Sequence, residues 1–236
     1  MKPKYKRVLI KLSGEGLMGD KPFGMDDKTI KSLAEQIKEV KDKGVEVCLV
    51  VGGGNIFRGA KEASKGLNRS VADQVGMLAT VMNALYLQNA LETIGVSTRV
   101  MSGLNIPSVC ESFIYRRALR HLQKDRVLIF AGGTGNPYFT TDSGAALRAS
   151  EMGCDAILKA TQVDGVYSDD PKKNPKAQRY DTVSYDEVIK KNLKVMDIAA
   201  VALARDNNIP IVVFALKNKN SLVNIIFGKE KFTIIK

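Results

Sequence analysis

The chain has no tryptophan, one histidine and three cysteines in 236 residues, and each shortage closes off some chemistry. The single histidine, His121, lies in the basic run Arg116-Arg-Ala-Leu-Arg-His121, where a surface side chain is expected rather than a catalytic base. No plausible Ser/His/Asp or Cys/His hydrolytic set can then be assembled. Cys48, Cys110 and Cys154 are odd in number and widely spaced, and no Cys-x-x-Cys occurs. That argues against a disulfide framework and against a zinc site, leaving core thiols in a reducing compartment. No run approaches the roughly 18 apolar residues of a transmembrane helix. The apolar stretch after the basic N-terminus stops at Leu12, too short for a signal-peptide core, so a cytosolic protein without a membrane partner is expected. The P-loop pattern GxxxxGK[ST] is absent, as are the His-Arg-Asp and Asp-Phe-Gly signatures of protein kinases.

Hydrophobic residues make up 44% and charged residues 26%, a profile suited to a sizeable core. The formal charge is +11, from 36 basic and 25 acidic side chains. The lysines are scattered, including Lys172-Lys173, Lys190-Lys191, Lys217 and Lys219, with no aromatic-interleaved basic stripe. A solvated lysine-rich surface fits better than a nucleic-acid partner, and the same field suits a small acidic substrate.

Apolar, β-branched runs predict strands over residues 7–12, 45–51, 97–101, 126–131, 156–160 and 210–215. Most are nearly continuous in apolar residues, as in strands buried on both faces of a parallel sheet. Between them, one helix carries Ile30, Leu33, Ala34, Ile37 and Val40 on one face, with Asp26 or Asp27 as cap. A longer helix over 71–94 shows the stripe Val75, Leu78, Met82, Leu85 and Leu91. Shorter helices fit 111–122, 143–152, 185–191, 198–207 and 221–227, and Met77, Met82 and Met152 read as core. The fold class is therefore α/β: a three-layer sandwich with a mostly parallel central sheet and helices on both faces. One domain spanning 1–236 is expected, with two lobes meeting near Ala131.

Four loops carry the chemistry. Lys11-Leu-Ser13-Gly14-Glu-Gly16-Leu-Met-Gly19 follows the first strand and matches G-x-G-x-x-G. The Rossmann reading fails, because no acidic residue closes the second strand and Asp20, Pro22 and Gly24 prolong the loop where a helix should begin. A lysine closing a buried strand is better explained by an anion it neutralises. Gly52-Gly-Gly-Asn-Ile-Phe-Arg58-Gly59 offers bare backbone to a ligand and an arginine fork for phosphate. Residues 132–142, GGTGNPYFTTD, join a strand to a helix and present backbone N–H groups, short polar side chains and a helix N-terminus to one spot, as anion sites do. Lys159-Ala-Thr161-Gln-Val-Asp164-Gly165-Val-Tyr167-Ser-Asp169-Asp170-Pro171 again ends a strand in lysine. There Tyr167 could lie against a base and Asp170 could face a ribose or a metal.

Taken in order, KLSGE, GGGNIFRG, GMLATVMN, GTGNPYFTTD, KATQVDGVYSDDP and MDIAA resemble the bacterial uridylate kinases of the amino acid kinase superfamily. The resemblance runs from about Tyr5 to the C-terminus, and GTGNP-x-FTTD is its specific part. It implies the reaction UMP + ATP → UDP + ADP, with the acceptor site in a lobe of about 1–131 and the nucleotide site in a lobe of about 132–236. ATP would lie around Lys11, Leu12, Ser13, Gly14, Gly53, Arg58, Thr161, Tyr167 and Asp170. UMP would lie against Gly52, Asp73, Thr134, Gly135, Asn136, Pro137, Tyr138, Phe139, Thr140 and Thr141, with Asp73 accepting from ribose hydroxyls. Lys11 and Lys159 would act on the transferring phosphoryl, held by Asp142, and Mg²⁺ would be bound mainly by ATP oxygens. The resemblance further implies a homohexamer of dimers regulated by GTP and UTP.

Two departures stand out. Gln162 occupies a position where relatives often carry lysine. Gln88 and Glu92 replace basic residues that contribute to the GTP site of some relatives, leaving Arg99 and Arg126 as candidate effector residues. Two other readings stay open at this level: a superfamily member acting on a carboxylate or carbamate, and a basic nucleic-acid-binding or regulatory protein.

Overall fold

Each of the six strands expected from apolar runs forms, because each run can bury both of its faces. They are β1 (Arg7–Leu12), β2 (Glu46–Val51), β3 (Thr98–Ser102), β5 (Val127–Ala131), β6 (Ala156–Thr161) and β10 (Ile211–Ala215). The computed structural model describes residues 2–58, 66–171, 173–216 and 220–236; Gly59, Lys172, Lys217 and Lys219 lie outside them. Five short strands had no clear apolar run to announce them: β4 (Glu111–Ser112), β7 (Val166–Tyr167), β8 (Arg179–Tyr180), β9 (Thr182–Val183) and β11 (Phe232–Ile235).

Among the described residues nine strands form one sheet in the order β4-β3-β5-β2-β1-β6-β10-β11-β9, parallel at every pairing except β10 with β11. Strands β7 and β8 form a separate antiparallel pair. The sheet grows one way from β1 through β2 and the other way through β6. Ligands of open α/β sheets bind at such a reversal, outside the carboxyl ends of the strands.

The helices are α1 (Asp27–Asp42), α2 (Arg69–Thr93), α3 (Tyr115–Gln123), α4 (Thr141–Met152), α5 (Tyr185–Lys190), α6 (Ile198–Asp206) and α7 (Ser221–Ile226). Side chains alternate across a strand, and the core divides accordingly. Val8, Ile10 and Leu12 of β1 pack with α1, α2 and α7, whereas Leu9 packs with α3, α4 and α6. This is the expected three-layer sandwich. Asp26 caps α1 by accepting from Thr29 N at 2.8 Å.

Three expectations need correction. Residues 111–112 form an edge strand beside β3, and the helix begins only at Tyr115. His121 is buried, since α3 turns Ala118, His121 and Leu122 toward the sheet. On α2, Met77 is buried but Val75, Leu78 and Met82 are exposed, Met82 to 54%. That helix is apolar on two sides. Its inner side combines small or polar residues (Ala72, Ala79, Thr80, Asn83, Ala84) that bring it close to the loops with the larger Met77, Val81, Leu87 and Leu91, while Val75, Leu78 and Met82 lie on the outer side.

Candidate active site

Lys11 and Lys159 sit side by side. They are register partners on adjacent parallel strands, each in the carboxyl-terminal half of its strand, β1 and β6. The two-residue alternation points both toward the face covered by α4, on which Leu9 and Ile157 also lie. Asp142, in the first turn of α4, is placed above them. Its Oδ1 lies 2.8 Å from Lys11 Nζ and its Oδ2 2.6 Å from Lys159 Nζ. The Lys159 contact is a hydrogen bond, whereas the Lys11 contact is an ion pair off the hydrogen-bond axis. Thr140 caps α4 by accepting from Asp142 N at 3.0 Å, so the aspartate's backbone is fixed as well.

Two cations and one anion are thus gathered in a site where the Lys11 side chain is only 7% exposed. Burial alone would raise the Asp142 pKa, but the close positive charges of Lys11 and Lys159 outweigh it and hold the carboxyl below its usual value. Burial lowers the Lys159 pKa and the neighbouring Lys11 lowers it further, with Asp142 opposing both. The cluster keeps one positive charge beyond its internal neutralisation, which suits it to an anionic ligand.

The glycine loops that flank this pair are packed backbone against backbone. A Cβ on Gly14 would fall 2.7 Å from Gly54 N, and one on Gly52 would fall 2.9 Å from Gly14 N, so no side chain fits at either position. Gly14–Leu17 forms a short 3-10 turn capped by Ser13, and α1 begins ten residues later, unlike a dinucleotide-binding crossover. Arg58 reaches across from the second loop to Glu15 of the first and donates to Gly54 O at 3.3 Å. A phosphate using Arg58 would have to compete with that carboxylate.

Three cavities open near the strand ends. The largest, about 750 Å³, is lined by Lys159, Thr161, Tyr167 and Asp170 among others. Within it Tyr167 donates to Asp164 Oδ1 at 2.6 Å, and Thr161 Oγ1 accepts from Val163 N at 3.0 Å. A second, about 490 Å³, takes Leu12, Ser13, Thr161 and Gln162. The third, about 250 Å³, is lined by Gly53, Asp73, Thr134, Phe139, Thr140 and Thr141 together with neighbouring residues. Gly53, expected on the ATP side, therefore lines the cavity that carries the expected UMP residues. That cavity draws on both sides of Ala131.

The loop over 132–141 is held from two directions. Asp73 Oδ2 accepts from Tyr138 N and from Arg69 Nε, both at 2.8 Å, and Tyr138 is left-handed with φ of 70°. Thr80 Oγ1 accepts from Gly132 N at 2.8 Å. From the opposite side Asp197, the N-cap of α6, accepts from Thr140 Oγ1, from Ser143 Oγ at 2.9 Å and from Ala200 N at 2.7 Å. Gly135 is left-handed and lies against Gly103. Asn136 is exposed, its N donating to Thr134 Oγ1 at 3.2 Å, and Pro137 follows it. Gly135, Asn136, Pro137 and Tyr138 build the loop without lining the cavity. Thr80 and Asp197 were missed from the sequence, although both sit in motifs already singled out. Their signal was a hydroxyl inside a long apolar helix and an aspartate immediately before one.

The candidate effector residues are joined by a chain of polar contacts. Arg99 Nε lies 3.9 Å from Glu111 Oε1, Glu111 Oε2 lies 3.1 Å from His121 Nε2, and His121 Nδ1 lies 3.0 Å from Arg126. An arginine only donates, so His121 Nδ1 accepts and Nε2–H donates to Glu111. This satisfies both nitrogens of the buried ring. Glu92 also pairs with Arg99, at 3.4 Å.

Comparisons with known proteins agree with this geometry. The amino acid kinase family model matches residues 6–215. A uridylate kinase of Paramagnetospirillum magneticum is 60% identical over 232 residues, covering 98% of this chain and 97% of that protein. One of Erythrobacter litoralis is 58% identical over 233 residues, covering 99% and 98%. Among solved structures, UMP kinase from Bacillus anthracis superposes with a TM-score of 0.93 at 42% identity, covering 98% of this chain and 96% of that one. UMP kinase from Ureaplasma parvum gives 0.93 at 40% identity, with 99% of each covered. With full-length identity to these proteins and the same fold, the chain belongs to the amino acid kinase family, in its uridylate kinase branch.

Proposed function

We propose that this protein transfers the γ-phosphoryl group of ATP to UMP, forming UDP and ADP. The observation that carries the reading is the Lys11–Asp142–Lys159 cluster: Lys159 lines the cavity with Tyr167 and Asp170, and Thr141, next to Asp142 in the chain, lines the smaller one with Asp73 and Thr134. ATP occupies the first and UMP the second. A phosphate oxygen of UMP is already ionised at neutral pH, so the nucleophile needs no general base. Catalysis then consists of in-line positioning and neutralisation of charge in a loose transition state. Lys11 and Lys159 donate to the transferring phosphoryl while Asp142 keeps their ammonium groups apart and aimed. Asp142 is a positioning residue in this scheme. Mg²⁺ arrives as part of the MgATP substrate, held mainly by its phosphate oxygens.

UMP selectivity is assigned to the loop over 132–141, with Asp73 available to ribose hydroxyls. Assay of UDP formation from MgATP and UMP, with CMP and dUMP alongside, tests this. Turnover with UMP well above the other two supports the reading. Folded protein that turns over no nucleotide overturns it, and steeply salt-dependent DNA binding in that protein would favour the nucleic-acid alternative.

The same proposal includes self-association into a hexamer of dimers. Its support is the outer side of α2, where Val71, Val75, Leu78, Met82 and Tyr86 are all exposed and follow one another at helical spacing. Leu78→Asp with Met82→Lys is expected to reduce the mass seen by sedimentation. GTP activation and UTP inhibition through Arg99 and Arg126, and a cytoplasmic location, complete the proposal. A rate unchanged by saturating GTP removes the activating half.

A further inference from the structure

Asn55 and Asn83 are fully buried and bonded to each other in both directions. Asn55 Nδ2 donates to Asn83 Oδ1 at 3.0 Å, and Asn83 Nδ2 donates to Asn55 Oδ1 at 2.7 Å. Each amide spends its other N–H on the backbone of a loop. Asn55 Nδ2 reaches Gly24 O at 2.9 Å, and Asn83 Nδ2 reaches Gly52 O at 2.7 Å. Gly24 N returns a bond to Asn55 O at 2.9 Å. The first glycine loop closes on the same point, since a Cβ on Gly14 would lie 2.5 Å from Asn55 Oδ1.

Buried polar groups of this kind are costly unless every one is satisfied. A core of α2 built from apolar residues alone would avoid that risk. The pair does something an apolar core could not, because its four bonds run to one helix and two loops at fixed distances. The helix is also the one that holds the acceptor side: Thr80, one turn before Asn83, takes Gly132 N, and Asp73 takes Tyr138 N. A single edge of α2 therefore fixes the loops after β1, β2 and β5 relative to one another.

We propose that the Asn55–Asn83 pair is a positioning device for phosphoryl transfer, setting the glycine loops after β1 and β2 against the acceptor loop. This rests on the kinase reading above. Neither asparagine lines the three cavities; the pair acts through the backbone of Gly52 and Gly14, which are expected beside UMP and ATP, so its loss acts on geometry. Because a displacement of about 1 Å at a reacting centre can cost about 100-fold in rate, replacing Asn83 lowers kcat by roughly 10- to 100-fold and leaves KM for ATP and UMP within about threefold.

The test uses full-length protein carrying Asn83→Leu, close in shape but without the amide, and Asn83→Ala, which leaves room for water should the leucine variant fail to fold. Turnover is normalised to the fraction that binds nucleotide, which removes simple loss of folded protein. A fall in kcat at near-constant KM supports the proposal. Unchanged kcat in a folded variant overturns it, as does a fall that vanishes on normalisation. Combination with Lys11→Met adds a second readout: a geometric effect is smaller in that background, whereas independent structural damage multiplies. Amide exchange keeps the proposal testable apart from activity. Amides at Gly24, Gly52, Ile56 and Phe57 should exchange faster in the variants while those of β5 and β6 do not. Equal protection overturns the positioning role even if the wild-type protein makes no UDP, an outcome that by itself would count only against the kinase reading.

Discussion

The lysine pair and the acceptor loop are built in opposite ways. Lys11 and Lys159 lie in the carboxyl-terminal halves of strands at the middle of a nine-stranded sheet, and their counter-charge is fixed on the first turn of a capped helix. The loop over 132–141 lies at the surface, with Tyr138 exposed to 66% and Phe139 to 53%, and it is held by bonds to Asp73, Thr80 and Asp197. The contrast suits the different tasks proposed for them. Charge stabilisation needs groups that do not reorganise during reaction, so it belongs on the sheet. Discrimination between acceptors needs a surface that admits and releases a nucleotide, so it belongs on a loop placed by rigid elements.

If that division holds, the largest effects come from the lysines. Lys11→Met or Lys159→Met should lower turnover by roughly 10²–10³ or more, the scale of losing one preorganised donor. Asp142→Asn attacks the same centre through stability. It leaves two neighbouring buried ammonium groups without their carboxylate, and removing one partner of such a cluster costs about 3–5 kcal/mol. Urea denaturation should show that loss, and added ATP should restore part of it by binding the folded form.

On the loop side, Asp73→Asn should raise KM for UMP about tenfold while kcat stays near the wild-type value, as expected for losing a charged hydrogen bond worth about 1.4 kcal/mol in binding. An equal fall in kcat would mean that the loop shares in the chemistry and that the contrast is too sharp.

The smallest effect is one of pH. Burial, then the charge of Lys11, lowers the Lys159 pKa from 10.5, so its ammonium form is lost at a lower pH than that of an ordinary lysine. In the proposed mechanism the protonated form is the active one, so kcat/KM should fall on the alkaline side, beginning below that value. Lys159→Arg, which stays charged, should abolish this limb at whatever rate it retains.

The sequence made the centre of the molecule readable and left its fastenings obscure. Runs such as Val8-Leu9-Ile10 read as buried strands, and the lysines late in two of them are brought side by side around Asp142. The ends of elements were harder. Glu111–Ser112 joins the sheet because β3 offers an open edge, a tertiary fact that no local pattern contains. His121 resembled a surface residue amid arginines, yet Glu111 and Arg126 satisfy both ring nitrogens and allow its burial. Met82 fitted a core stripe, but α2 turns its small residues inward. Asn83 and Thr80 were hidden inside a motif read for its apolar residues, because their value depends on loops distant in sequence.

Transfer of a phosphoryl group from ATP to UMP at the Lys11–Asp142–Lys159 cluster can be checked by UDP formation in the wild-type protein and in Lys159→Met, with nucleotide binding measured on the same preparations. Rapid UDP formation by the wild type and a loss of roughly 10²–10³ in the variant despite retained binding are expected. Near-wild-type turnover by a folded Lys159→Met protein would contradict transfer at this cluster.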